Sequence, residues 1–223
     1  MTLLARSLAL LRGGQDLALG FSRRLPLVYL VWGISVGLAV AWITPPWQVP
    51  DEPNHFLRMV QVSSGEMTGR SFATEGFVGG KIDPAVLVSI LAFDEIPFHP
   101  DRKDTQLLEQ QARQWHWSGL SVLRPFGNTA IYPPVFYLPG ALALIPARLA
   151  ALGVVTSLLL VRAVNVVIGC ILIAIGLRLS SRTRPVLLAL AVLPMTVSLM
   201  ASASQDGLLL ATCLLYTSPS PRD

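Results

Sequence analysis

Residues 154–177 read VVTSLLLVRAVNVVIGCILIAIGL, a stretch with a single charge, Arg162. A bilayer core takes roughly 20 mostly apolar residues as a helix, so this stretch predicts a transmembrane span. Working outward, residues 25–43 (LPLVYLVWGISVGLAVAWI) predict a second, bracketed by Arg23-Arg24 and Thr44-Pro45-Pro46. Residues 185–200 (PVLLALAVLPMTVSLM) predict a third. Composition agrees: the chain is 52% hydrophobic and 13% charged, with mean hydropathy +0.58, against about a quarter charged in soluble domains. The sequence thus predicts an all-α integral membrane protein.

Arginines orient the spans. Residues 178–184 carry Arg178, Arg182 and Arg184 with no acid, and residues 1–24 carry Arg6, Arg12, Arg23 and Arg24 against Asp16 alone. Short basic segments stay in the cytoplasm. Both segments are therefore expected inside, in a multi-pass protein of the cytoplasmic membrane, with residues 44–153 as a long outer loop and residues 201–212 outside again. The net charge of +4 and pI near 9.5 then reflect orientation, and a nucleic-acid partner is excluded. Ala39-Val40-Ala41 also fits a signal-peptidase site, but the preceding region is long for a signal peptide and further spans follow, which favours a retained anchor. Residues 135–150 are apolar yet short, and interrupted by Pro139 and Pro146. As a crossing they would push the arginine loop outside, so they are expected as a helix on or dipping into the outer surface. Residues 66–124 show no pattern that assigns their elements.

Residues 213–223, CLLYTSPSPRD, look like a translated transposase adapter. The expectation is that they are foreign and that the natural chain continues past Thr212; a genuine Ser-Pro linker is the competing reading. Cys170 and Cys213 suggest no disulfide.

Chemistry concentrates after the first span, in Pro45-Pro46-Trp47-Gln48-Val49-Pro50-Asp51-Glu52-Pro53-Asn54-His55-Phe56-Leu57-Arg58. Prolines and acids suit a first helical turn, so a helix over about 51–63 is expected. Asp51, His55 and Arg58 share one of its faces, while Phe56, Met59 and Val60 lie on another and can rest on lipid. Asp51 and Glu52 either cap this helix or provide a general base or metal ligand at the membrane surface. Tyr132, in NTAIYPPVFYLP, sits in an aromatic belt or positions a substrate loop. Arg162 and Asn165 share a face of the second span. A charge there costs about 2.5–3.5 kcal/mol near mid-membrane, so Arg162 either snorkels outward or faces a wet cavity, where its planar fork suits a phosphate. Asp206, in SASQDG, reads as a loop acid or a site acid. Trp115-His116-Trp117 could stack on a sugar or anchor at the interface. His55, His99 and His116 are too dispersed to argue for a histidine metal site.

PPWQVPDEPNHFLR, YPPVFYLP, the Arg162-x-x-Asn165 pair and SASQDGLL together resemble the bacterial membrane family catalogued as domain of unknown function 2142, over about residues 44–210. That family in turn resembles the C-type glycosyltransferases. The resemblance implies the N-terminal part of a C-type helical bundle whose long outer loop carries juxtamembrane helices. It implies a polyprenyl-phosphate sugar donor and a cell-envelope acceptor as partners beside the lipid bilayer. Asp51 and Glu52 would then activate the acceptor or help hold a divalent metal ion. His55, Arg58, Tyr132, Arg162, Asn165 and Asp206 would bind substrate, with Arg162 near the lipid phosphate. Two other classes stay open: a non-catalytic component of polysaccharide assembly or export, and a transporter in which Arg162 marks the path.

Overall fold

The computed structural model describes residues 24–72, 77–99, 101–180 and 183–217. Two helices in it are long and apolar enough to cross a membrane: α1 (Arg24–Ile43), with mean hydropathy 1.9, and α7 (Val154–Leu179), with 2.7. By helical rise, α1 is about 30 Å long and α7 about 39 Å. They lie antiparallel. Gly33 abuts Cys170, Gly37 abuts Val166, and the Ala41 carbonyl meets Arg162. Gly33 and Gly37 stand one helical turn apart, as close-packing small residues do in membrane helices. A Cβ on Gly37 would come within 2.7 Å of a Val166 methyl.

Because α1 runs beside α7 only from about residue 162 onward, the first two turns of α7 project past the end of α1. The outer-loop elements gather there. They are α2 (Glu52–Ser63), β1 (Arg70–Phe72), β2 (Phe77–Ile82), α3 (Pro84–Leu91), α4 (Gln106–Arg113), β3 (Val122–Pro125), α5 (Gly127–Ala130), a 3-10 turn (Pro134–Tyr137) and α6 (Leu138–Leu149). The strands form one antiparallel sheet in the order β1-β2-β3, with Ser71 opposite Val78 and Gly80 opposite Arg124. The protein is mostly helical, and this small sheet amends the expectation of an all-α chain.

Helix α2 is the core of this head. Phe56, Met59 and Val60 are at most 1% exposed. They pack among protein side chains with Tyr137, Leu144 and Leu158. This corrects the reading that they rest on lipid: the outer loop folds back and buries this face of the helix. α3 starts where Asp83, itself buried, accepts the Ala85 amide. The same carboxylate takes the Ser118 and Gly119 amides, fastening the loop that leads to β3. α6 is 12 residues long, about 18 Å, and turns back antiparallel onto the first turns of α7.

Residues 185–200, read as one span, form two helices, α8 (Arg184–Ala191) and α9 (Pro194–Met200). Pro194 lacks an amide proton and drives Leu193 out of helical geometry, to ψ 137, so the helix restarts there. Met200 reaches Gly169 of α7. α10 (Asp206–Tyr216) then runs parallel to α7, with Gly207 against α9 and Gly176 against Leu215. The basic N-terminal segment of residues 1–23, Arg182, and residues 218–223 of the adapter-like tail lie outside the described residues; α10 itself continues through Cys213.

Candidate functional site

α1 ends at Ile43, leaving its last carbonyls without helical partners. Arg162 fills that gap from α7. Its Nη1 donates to the carbonyls of Ala41 (3.0 Å) and Thr44 (2.7 Å), and its Nη2 to that of Pro45 (3.1 Å). Its Nε and Nη2 also fork onto the Glu52 carboxylate, at 2.8 and 2.6 Å. An arginine has five N–H donors, and all are spent. Both side chains are 0% exposed. Glu52 accepts a further bond from the Ala203 amide at 2.8 Å. Asn165, one turn along α7, donates to the carbonyls of Ser202 and Ser204. Glu52, Arg162 and Asn165 therefore tie the ends of α1 and α9 and the start of α2 into one buried polar knot. Arg162 neither snorkels nor faces a cavity, and it has no donor left for a phosphate.

Asp51 differs from its neighbour. It is exposed, sits at φ 58 in the left-handed region, and makes no side-chain capping bond to α2. Neither acid of the pair is a side-chain cap: Glu52 is committed to Arg162, and Asp51 enters no ion pair among the described residues. Asp51 lines a cleft of about 780 Å³ together with Asn54, Asp94 and Arg124, and with an apolar wall that includes Trp47 and Leu91. Arg124, exposed on β3, enters no ion pair among the described residues.

His55 is buried on α2. Its Nδ1 shares a 2.8 Å hydrogen bond with the Tyr137 hydroxyl, and its Nε2 lies 3.8 Å from Asp206 Oδ2. Burial holds the His55 pKa below its ordinary value, opposed by the carboxylates of Asp206, Asp51 and Glu52. Burial likewise raises that of Tyr137. Arg58, further along α2, reaches the Tyr132 carbonyl at 3.1 Å, while the Tyr132 side chain is exposed. Trp117 donates to Ser157 Oγ and lies under the Arg148 guanidinium, 4.4 Å away, which leaves it a packing residue.

The sequence-derived set thus separates. Glu52, Arg162 and Asn165 form the knot, His55 and Asp206 pair beside it, and Asp51 faces the cleft. Arg58 and Tyr132 meet further along α2. Among the described residues, no three His, Cys, Asp or Glu side chains are arranged to hold a metal ion. With Glu52 committed to Arg162, the Asp51–Glu52 pair would offer a divalent metal ion Asp51 alone. Arg124, Asp94 and Tyr137 were not anticipated. Tyr137 lies inside a stretch already singled out, but Arg124 sits in the unassigned region, with no pattern to mark it.

A family model described as a predicted membrane protein, DUF2142, matches residues 34–218. The chain belongs to this family. No curated protein and no solved structure matches it. The DUF2142 match spans the end of α1, the whole head, and α7 through α10, so it includes every residue of the knot and of the cleft.

Proposed function

We propose that this DUF2142 protein is a membrane glycosyltransferase. It moves a sugar from a polyprenyl-phosphate donor to a cell-envelope acceptor at the outer face of the cytoplasmic membrane. The observation that carries the reading is the exposed, uncapped Asp51 carboxylate at the edge of the cleft, next to a glutamate that is fully committed. Asp51 takes the proton from an acceptor hydroxyl, a role that needs hydrogen-bond reach and solvent access. The acceptor oxygen bonds to the anomeric carbon as the carbon–oxygen bond to phosphate breaks. The polyprenyl phosphate leaves with that electron pair. The transition state has oxocarbenium character, as in glycoside hydrolysis, and the charge growing on the phosphate needs a cation. Arg124 takes the role first expected of Arg162. The apolar cleft wall suits the start of an isoprenoid chain. The shared end of Arg24 and Arg178 in the antiparallel α1–α7 pair supports an inside location for both.

The test is sugar transfer from a polyprenyl-phosphate donor by membranes carrying the intact protein. Asp51→Asn is expected to lower transfer by about 10²-fold or more at unchanged membrane level. Arg124→Ala should also lower it, while Arg124→Lys restores part. Wild-type transfer unaffected by Asp51→Asn would overturn the catalytic reading and leave the non-catalytic assembly component. The transporter reading rested on Arg162, whose donors are all occupied.

A further inference from the structure

Among the described residues, two arginines are wholly buried, and they are treated differently. Arg162 places every donor, two of them on a carboxylate. Arg58, 1% exposed, places three: one on Gln61 Oε1 and two on the carbonyls of Met67 and Tyr132. Its Nε has no acceptor. No carboxylate lies within ion-pair distance of it among the described residues. A buried cation without a counter-charge is costly, and proteins normally pair it. Burial accordingly holds the Arg58 pKa below its ordinary value.

Beside Arg58 lies a cavity of about 410 Å³, lined also by Thr68, Gly69, Ile131, Tyr132 and Pro133. It shares no lining residue with the Asp51 cleft. Two of the stretches that stand out in the sequence, the one ending in Arg58 and the one beginning at Tyr132-Pro133-Pro134, both contribute to its lining. We propose that this cavity binds a phosphate group, which supplies the counter-charge that the Arg58 guanidinium lacks. Phosphate oxygens accept several N–H bonds at once, which is what a partly placed guanidinium offers. The mouth is apolar, with Met67, Ile131 and Tyr132 exposed. That surround suits a phosphate carried on a lipid headgroup as well as a free one. The site is independent of the sugar-transfer reading.

The experiment is thermal unfolding of the intact protein in phosphatidylcholine nanodiscs. Three conditions are compared: sodium chloride, inorganic phosphate at matched ionic strength, and phosphatidic acid added to the disc. A ligand that binds only the folded state raises Tm saturably. The expected result is such a rise with phosphate, with phosphatidic acid, or with both; the arm that responds identifies the source. Thr68→Trp fills the cavity mouth while leaving Arg58 and the Thr68 carbonyl in place. It should abolish the rise, as should Arg58→Gln if that variant folds. Asp51→Asn should keep it, which separates this site from the cleft. No rise in either arm, or an equal rise in Thr68→Trp, overturns the proposal.

Discussion

At the scale of single residues, the adjacent acids Asp51 and Glu52 show how little a motif says about roles. Glu52 is locked 0% exposed on Arg162, so removing either partner strands a charge. Such losses cost about 3–5 kcal/mol. Arg162→Met should therefore lower stability by about that amount, read as a fall in Tm in detergent. The paired replacement Glu52→Gln with Arg162→Met should recover part of it. If the single and double variants unfold together, the two residues are not coupled. The acid and the arginine were both visible in the sequence as candidates. Their partnership was not, because 110 residues separate them and no periodicity relates the N-terminus of one helix to the middle of another. Asp104 supplies a separate residue-scale test. Burial and the Glu109 carboxyl raise its pKa from 3.8 to about 6. A raised acid favours the folded state while protonated, and that contribution fades as pH rises through about 6. The protection factors of α4 amides should therefore fall from pH 5 to pH 7, and Asp104→Asn should flatten the change.

Among elements, hydropathy located what lipid requires and little else. α1 and α7 are legible because about 20 apolar residues have few alternative explanations. The strands were illegible for the opposite reason. FVGGKI and VLRP are short, carry glycines or full exposure, and lack the alternation that marks a half-buried strand. The break between α8 and α9 did have its signal, Pro194, which a count of apolar residues passes over. The α1–α7 contact had one too, in Gly33 and Gly37. Its energetics are testable. Gly37→Leu forces a side chain into Val166, where a Cβ already comes within 2.7 Å. Overpacking of this kind costs about 1–3 kcal/mol, so Tm should fall accordingly, and Val166→Ala should restore some of it. A Gly37→Leu protein as stable as wild type would mean that the two helices are not held by this contact.

For the molecule as a whole, the antiparallel α1–α7 pair constrains topology more tightly than the arginines do. If α1 and α7 both cross the membrane, everything from Thr44 to Gly153 leaves and re-enters on the same side. α6 does not alter this, since its 12 residues reach about 18 Å, short of a roughly 30 Å hydrocarbon core. The knot also requires that side to hold the turn after α9, because Ala203 donates to Glu52. The cleft, the phosphate cavity and the start of α10 must then share one face, and the ends marked by Arg24 and Arg178 must share the other. Reporter cysteines decide it in a background with Cys170 and Cys213 replaced by serine. Leu120 is 69% exposed in the head, so Leu120→Cys should react with a membrane-impermeant maleimide in intact spheroplasts. Arg178→Cys should react only after permeabilisation. Labelling of both in intact cells would mean that α7 does not cross, and would remove the outer-face site on which sugar transfer from a lipid carrier depends. The reverse pattern would place the cleft in the cytoplasm, where the same Asp51 chemistry would have to draw on a donor presented from the inner leaflet.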